Sequence, residues 1–387
     1  MRIPGPPSVQ GRPLRVLING AHAKSGGGVT YLRNILPELA AQPGLELHLF
    51  LHKDQFNLFY PVSENVRVTL FSFRPSFFRT LIWEQVTIPL FAWGMGADVV
   101  FSPANYGPIF GRNHVILLRN AVSVIQFTRK WGPVAYWLAL AAATFVSLLT
   151  AKKAIAVSNY AKKLLTFGFP GSLGNKVDVV HHGTHQVSPE GKNDARRGSD
   201  LLAVSDIYIQ KNYHTLLRAH AVLIERVPGL RLVIVGREID QAYARSLRDL
   251  TRELGLEENV VFKGHVETKE LMELYRNCGV FVFPSLVETF GNPLLEAMAA
   301  GAPIASSNEA AMPEVLGDAG LTFDPRDRHD MAKKIERLLC DPELSGELGE
   351  RACRRARTFL WSDTAEQTAS VLKAAAEPGA ETPRRVR

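Results

Sequence analysis

The sequence predicts an α/β protein built from two doubly wound domains of parallel sheet, and three observations predict it. The chain has 387 residues, more than one ordinary hydrophobic core supports and enough for two domains of roughly 150 to 200 residues. Short apolar runs alternate with helical stretches through both halves, the rhythm of parallel strands joined by crossover helices. That rhythm is broken once, by the polar stretch QVSPEGKNDARRGSD at 186–200, and then restarts, which marks the domain boundary and a candidate hinge.

Composition narrows the class. A hydrophobic fraction of 46% with 21% charged residues is that of a globular chain. The three cysteines, Cys278, Cys340 and Cys353, form no CxxC pair, which points to a reducing compartment and away from disulfides or a thiolate metal site. Residues 1–12 carry no apolar core of a signal peptide and read as a disordered lead-in, so a cytoplasmic location is expected. A formal charge of +7 suits anionic ligands such as nucleotides, or an anionic membrane surface. No nucleic-acid partner is expected, because the basic residues are scattered and no recognised nucleic-acid-binding pattern is present.

Taken in order, the first strand is LRVLIN at 14–19, followed by a glycine turn at Gly26, Gly27 and Gly28 and a helix with Leu32, Ile35, Leu36 and Leu39 on one face. Strand, glycine loop and helix form the opening unit of a Rossmann-like domain. The glycines either bring backbone close to a ligand or make a flexible turn. Further strands are expected at 45–51, 66–71, 98–101 and 114–118. FSFRPSFFRTLIW at 71–83 mixes aromatic and basic residues, and its rings suit either an interfacial anchor or the core. PVAYWLALAAATFVSLLTA at 133–151 is uncharged and reaches the lower limit for a span. Because the next residues, KAIAVSNYAKKLL, continue the same domain, it is expected to be buried or to rest on a bilayer. Ser158 then reads as a helix cap. His181, His182 and His185 in HHGTH lack metal-ligand spacing and a thiolate partner.

After the linker, a strand at 201–205 leads to a loop with Lys211 and an amphipathic helix carrying Leu216, Leu217, Ala221 and Ile224. Lys211 is either a surface lysine or a cation placed to neutralise a diphosphate leaving group. Strands at 230–235 and 260–263 follow, and then FVFPSLVETFGNPLLEAMAAGAPI from 281. Here an apolar strand runs into a loop with Glu288 and Gly291, and a helix opens at Pro293 and stops at Gly301. Amides around Gly291, Asn292 and Leu294 lie at the helix start, where a phosphate is favoured. Glu288 and Glu296 bracket that position with acceptors suited to hydroxyls. A diphosphate flanked by two polyols, as in a nucleotide sugar, fits such a site.

The spacing of Glu288 and Glu296 within ETFGNPLLEAMAAGAPI, followed by PEVLGDAGLTFDP, resembles the signature of the retaining GT-B glycosyltransferases of family 4, also called glycosyl transferases group 1. The resemblance spans nearly the whole chain and is strongest over 201–361. It implies a GT-B fold: an acceptor domain at 13–185, a linker at 186–200, a nucleotide-sugar domain at 201–362, a helix at 363–375 returning to the first domain, and a disordered basic tail at 376–387. It also implies that Glu288 contacts the donor sugar and Glu296 the ribose. Thr289, Phe290, Gly291, Asn292, Pro293 and Leu294 would surround the phosphates, with Gly27 and Gly28 facing them. Val266 would pack on the base or belong to the core, and Lys211 would stabilise the leaving group.

Two departures from the family pattern stand out. The family's histidine dipeptide after the strand near 118 is replaced by Arg119 and Asn120, which makes Asn120 a candidate donor of a hydrogen bond to the sugar. An arginine common before the lysine is replaced by Ser205 and Asp206. The resemblance thus implies metal-free transfer of a sugar, with no cofactor, from a nucleotide sugar to a glycan or lipid-linked glycan in bacterial surface polysaccharide synthesis, on the inner face of the cytoplasmic membrane. The phrases SDIYIQKN and WEQ at Trp83, Glu84 and Gln85 look like those of mannosyl- or rhamnosyltransferases, favouring a GDP-mannose-like donor over a UDP-sugar. The alternatives are a nucleotide-sugar epimerase or hydrolase on the same fold, and a non-catalytic, membrane-peripheral glycan-binding protein.

Overall fold

The computed structural model describes residues 12–377 apart from 25, 75–76, 112, 120–130, 168, 170, 172 and 185–197. The linker is therefore described only at its end; Asn120, the lead-in before Arg12 and the basic tail after Glu377 lie outside the described residues, while Ala376 ends the last helix.

The first sheet contains β1 Leu14–Asn19, β2 Leu45–His52, β3 Val66–Phe71, β4 Val99–Ser102, β5 His114–Leu118, β6 Lys153–Ala156 and β7 Val177–Val179. Its order is β3-β2-β1-β4-β5-β6-β7, with every pairing parallel. The second contains β8 Leu201–Val204, β9 Leu232–Val235, β10 Val260–Gly264, β11 Val280–Phe283, β12 Ile304–Ser307 and β13 Leu321–Phe323. Its order, β10-β9-β8-β11-β12-β13, is again parallel throughout. Strands β8, β9, β11 and β12 are buried along their whole length, as expected of parallel strands covered on both faces. In each sheet the order reverses once, at β1/β4 and at β8/β11. Outside the carboxyl ends of strands at such a point, an open α/β sheet leaves a crevice for ligands.

The two domains meet through packed side chains. One core cluster continues from the first sheet into the second domain through Phe290, Phe359 and Trp361. The last helix, Trp361–Ala376, packs on the helix Gly27–Ala40 of the first domain. Thr184 pairs with Leu360 where the chain crosses over. A Cβ on Gly183 would lie 2.2 Å from the Trp361 backbone nitrogen, so only glycine allows the two segments to pass.

The two aromatic-rich stretches divide their residues between core and surface. Phe71, Phe73 and Trp83 pack together, with Phe50 alongside, while Leu81 and Ile82 are exposed. The helix Trp131–Thr150 buries Leu140, Thr144, Ser147 and Leu148 and exposes Tyr136, Leu138, Val146 and Leu149. No described helix is long and apolar enough to cross a membrane.

Candidate active site

The carboxyl end of β11 opens into the loop that the sequence singles out. Gly291 ends it at φ +95°, where a side chain would be strained, and a Cβ there would press on the Phe283 ring at 3.1 Å. The helix Asn292–Ala299 starts one residue earlier than expected, with Pro293 in its first turn. Within that turn the Leu294 amide donates to the Gly291 carbonyl at 3.0 Å, and the side chain is buried. The Leu294 amide is thus committed to the helix. Pro293 has no N–H, so the amides of Gly291 and Asn292 are the ones in this turn left to face an anion.

Glu288 and Lys211 come together at the neighbouring ends of β11 and β8. Lys211 Nζ lies 2.5 Å from Glu288 Oε1, both side chains being 16% exposed, and Ser285 Oγ donates to the same oxygen at 3.0 Å. The pairing of loops is backbone-determined: the Leu286 amide donates to the Gln210 carbonyl. Asn212, at φ 59°, donates to the carbonyls of Pro284 and Pro325 at 3.1 and 2.7 Å. Glu296 lies deeper, accepting from the Tyr275 hydroxyl at 3.0 Å, and burial raises its carboxyl above the usual range against that hydrogen bond. Val266 is half-buried against the core.

Thr289 and Phe290 make contacts between the domains. Thr289 Oγ1 donates to the Arg119 carbonyl at 2.6 Å, and its own carbonyl accepts from Ser158 Oγ at 2.5 Å. Phe290 is buried among His181, His182 and Phe359. Both residues join the domains, because the loop turns its polar backbone and its ring toward the first sheet. Ser158 also accepts from the Ala161 amide at 2.9 Å, as a helix cap should.

On the opposite wall, Gly27 and Gly28 open the helix Gly27–Ala40 behind Gly26, which has φ 57°. A Cβ on Gly27 would lie 4.0 Å from Asn292 Nδ2, so the glycine turn and the second domain's helix start face each other. Arg119 occupies the space beside Gly28.

Other side chains complete this region, among them the His181 and His182 of the HHGTH phrase. His182 Nδ1 donates to Asn292 Oδ1 at 2.8 Å, and burial pushes its imidazole down to about 4. Glu314 accepts from His181 Nε2 at 2.8 Å and from the amides of Asn159 and Tyr160 across the domain boundary. In the first domain, Glu84 is buried in a π-helical turn, Trp83–Thr87, and accepts from Asn19 Nδ2 and His22 Nε2, each at 2.7 Å. The Tyr106 hydroxyl donates to His22 Nδ1 at 3.2 Å. Only the WEQ phrase hinted at Glu84, and its partner His22 is 62 positions away.

Comparison with known proteins agrees with this geometry. Residues 190–355 match the family Glycosyl transferases group 1. Among curated proteins, the chain is 28% identical over 195 residues to the serotype-specific mannosyltransferase WbdA of Escherichia coli, covering 50% of this chain and 24% of that protein. The chain spans between about a quarter and about half the length of the curated relatives it matches first. Among solved structures, sucrose-phosphate synthase from Thermosynechococcus elongatus superposes with a TM-score of 0.76 at 20% identity, covering 93% of this chain and 98% of that one. Anabaena HepE in complex with UDP-glucose gives 0.72 at 17% identity, covering 93% and 100%. The fold is GT-B: two Rossmann-like domains facing a central cleft.

Proposed function

We propose, from the premise that its second domain belongs to the glycosyl transferases group 1, that this protein transfers a sugar from a nucleotide sugar to a glycan or lipid-linked glycan, with retention of configuration. The observation that carries this reading is the Lys211–Glu288 pair at the ends of β8 and β11, beside the helix start at Asn292 and across from the glycine turn. A cation and free amides suit a diphosphate, and paired carboxylates suit the hydroxyls at either end of the donor.

In the proposed step the bond between the anomeric carbon and the diphosphate oxygen breaks, and the acceptor oxygen bonds that carbon on the same face. The acceptor proton passes to the departing diphosphate. Lys211 is drawn toward the leaving group as its charge grows, which stabilises the transition state more than the bound donor. Glu288 is then released to hold the sugar. This assignment places the diphosphate charge on protein cations and amides rather than on a metal.

The similarity to the mannosyltransferase WbdA supports a GDP-mannose-like donor, and the UDP-glucose complex of HepE keeps a UDP-sugar in view. A cytoplasmic, membrane-peripheral setting suits a lipid-linked acceptor. It is supported by apolar side chains exposed on the first domain, including Trp93 at 84% and Phe110 at 83%. Gln85 bonds the 107–109 backbone, and Gly107 bonds Ser147, so the apolar surfaces of residues 81–93 and of the helix Trp131–Thr150 flank the same loop. Incubation with GDP-mannose and UDP-glucose in the presence of bacterial glycolipid tests the reading. Acceptor-dependent release of nucleoside diphosphate is expected, and turnover equally fast without acceptor would favour an epimerase or hydrolase.

A further inference from the structure

The cations that face the cleft are not equally engaged. Lys211 is neutralised by Glu288 at 2.5 Å. Arg237, which reaches from the end of β9 to the place where an arginine was missing, is held by Asp206 at 2.8 Å. Arg119, just after β5, is the contrast. Its Nε donates to the Pro103 carbonyl at 3.0 Å, its amide donates to Asn105 Oδ1 at 2.9 Å, and its carbonyl accepts from Thr289 Oγ1 at 2.6 Å. These bonds fix the stem from both domains. They leave the two terminal guanidinium nitrogens without a carboxylate among the described residues, and the stretch 120–130 that follows, NAVSVIQFTRK, contains no acid.

Those nitrogens lie against the glycine turn. A Cβ on Gly28 would sit 2.4 and 2.5 Å from them, so glycine is required there for the guanidinium to take this position. The same turn faces Asn292 across 4.0 Å, which brings the guanidinium, the start of the helix Gly27–Ala40 and the start of the helix Asn292–Ala299 to one place. Desolvation lowers the pKa of the guanidinium, the mark of a charge withdrawn from water without a counter-charge. Such a cation is costly unless an anion completes it, and a planar fork of N–H donors matches two phosphate oxygens.

We propose that Arg119 is the first domain's diphosphate-binding residue, receiving the anionic oxygens of a nucleoside diphosphate between the glycine turn at 26–28 and the helix start at Asn292. This deepens the donor reading, on which it rests for the identity of the anion. Arg119 thereby supplies, from across the cleft, the cation that Ser205 and Asp206 do not.

Calorimetric titration of the full chain with inorganic pyrophosphate, with UDP, GDP, dTDP and ADP, and with the corresponding nucleosides tests the proposal. In Arg119→Gln, affinity for pyrophosphate and for the preferred nucleoside diphosphate is expected to fall roughly tenfold to a hundredfold, the range of a lost charged hydrogen bond. Affinity for the nucleoside is expected not to change. Arg119→Lys, which keeps the charge and loses the fork, is expected to lose several-fold. Undiminished pyrophosphate binding by Arg119→Gln overturns the proposal. If that variant does not fold, undiminished binding by Arg119→Lys does so, as does a wild-type chain that binds no pyrophosphate. A wild-type chain that binds pyrophosphate but none of the four nucleotides contradicts the donor reading and upholds the anion site.

Discussion

Lys211 Nζ and Glu288 Oε1 lie 2.5 Å apart although 77 positions separate the residues in sequence. In this arrangement each is the other's counter-charge; under the proposed function, donor binding would divide the pair, the cation going to phosphate and the carboxylate to sugar. Glu288→Gln is expected to lower turnover by orders of magnitude while the fold remains intact. Lys211→Ala is expected to act at the same step, so the double variant loses much less than the product of the single losses. Near-normal turnover by Glu288→Gln removes its assignment.

Under the proposed function, Glu296 would hold the ribose end of the donor. Glu296→Ala is expected to weaken nucleotide binding with little effect on the glycine turn across the cleft. Tyr275→Phe, which removes the hydroxyl donated to Glu296, is expected to weaken it by a smaller factor. Titration with nucleotide and with pyrophosphate separates the cases, because pyrophosphate has no ribose and its affinity is expected to hold in both variants.

The domain boundary predicts an acid limb in two parts. His182 is held neutral by burial, with a pKa of about 4 against 6.5 for a free imidazole. The unfolded chain therefore binds the extra proton first, and stability falls as pH drops from 6.5 to about 4. Burial would raise the Glu314 carboxyl, but the hydrogen bonds from His181, Asn159 and Tyr160 outweigh it and hold it at about 2 against 4.5. Its contribution is complete above 4.5 and is lost as pH falls through about 2. Urea midpoints measured against pH are expected to flatten between 6.5 and 4 in His182→Phe and below 4.5 in Glu314→Gln. Unchanged profiles would show that these contacts do not contribute to stability.

Gly183 is the steric condition for the returning helix. Gly183→Ala sets a methyl group against the Trp361 backbone, which cannot give way as a side chain can. A loss of roughly 1–3 kcal/mol or more is expected in denaturant unfolding, whereas alanine at Gly171, where a Cβ meets nothing within 4 Å, is expected to cost little.

The exposed apolar surface of the first domain predicts binding to anionic vesicles. Trp93→Ser and Phe110→Ser are expected to reduce cosedimentation with phosphatidylglycerol-containing vesicles and to leave nucleotide binding unchanged, because both side chains are on the outer surface. Equal cosedimentation of wild type and variants would leave the membrane setting without support.

Much of the architecture is legible in sequence because it is local. The alternation of apolar strands and helices fixes two parallel sheets, and Gly291 and Pro293 mark a helix start within four residues. The roles of Thr289 and Phe290 are not legible in the same way. Both sit inside the signature and look like ligand-facing residues, but their partners, Arg119 and the His181–His182 rings, lie more than a hundred residues away. The same holds for Glu84, whose burial depends on His22 and Asn19 arriving from the end of β1. Spacing within a motif shows which residues share a loop; it does not show which side of the loop meets the other domain.

Donor binding is tested most directly by a thermal-shift panel of UDP, GDP, dTDP and ADP with their common sugars, on the wild type and on Glu296→Ala. A ligand at a hundred times its Kd stabilises the native state by about 2.7 kcal/mol. A shift of several degrees is expected with one nucleotide class, and a much smaller one in the variant. No shift with any nucleotide would contradict the proposed function and leave a protein that binds no sugar donor.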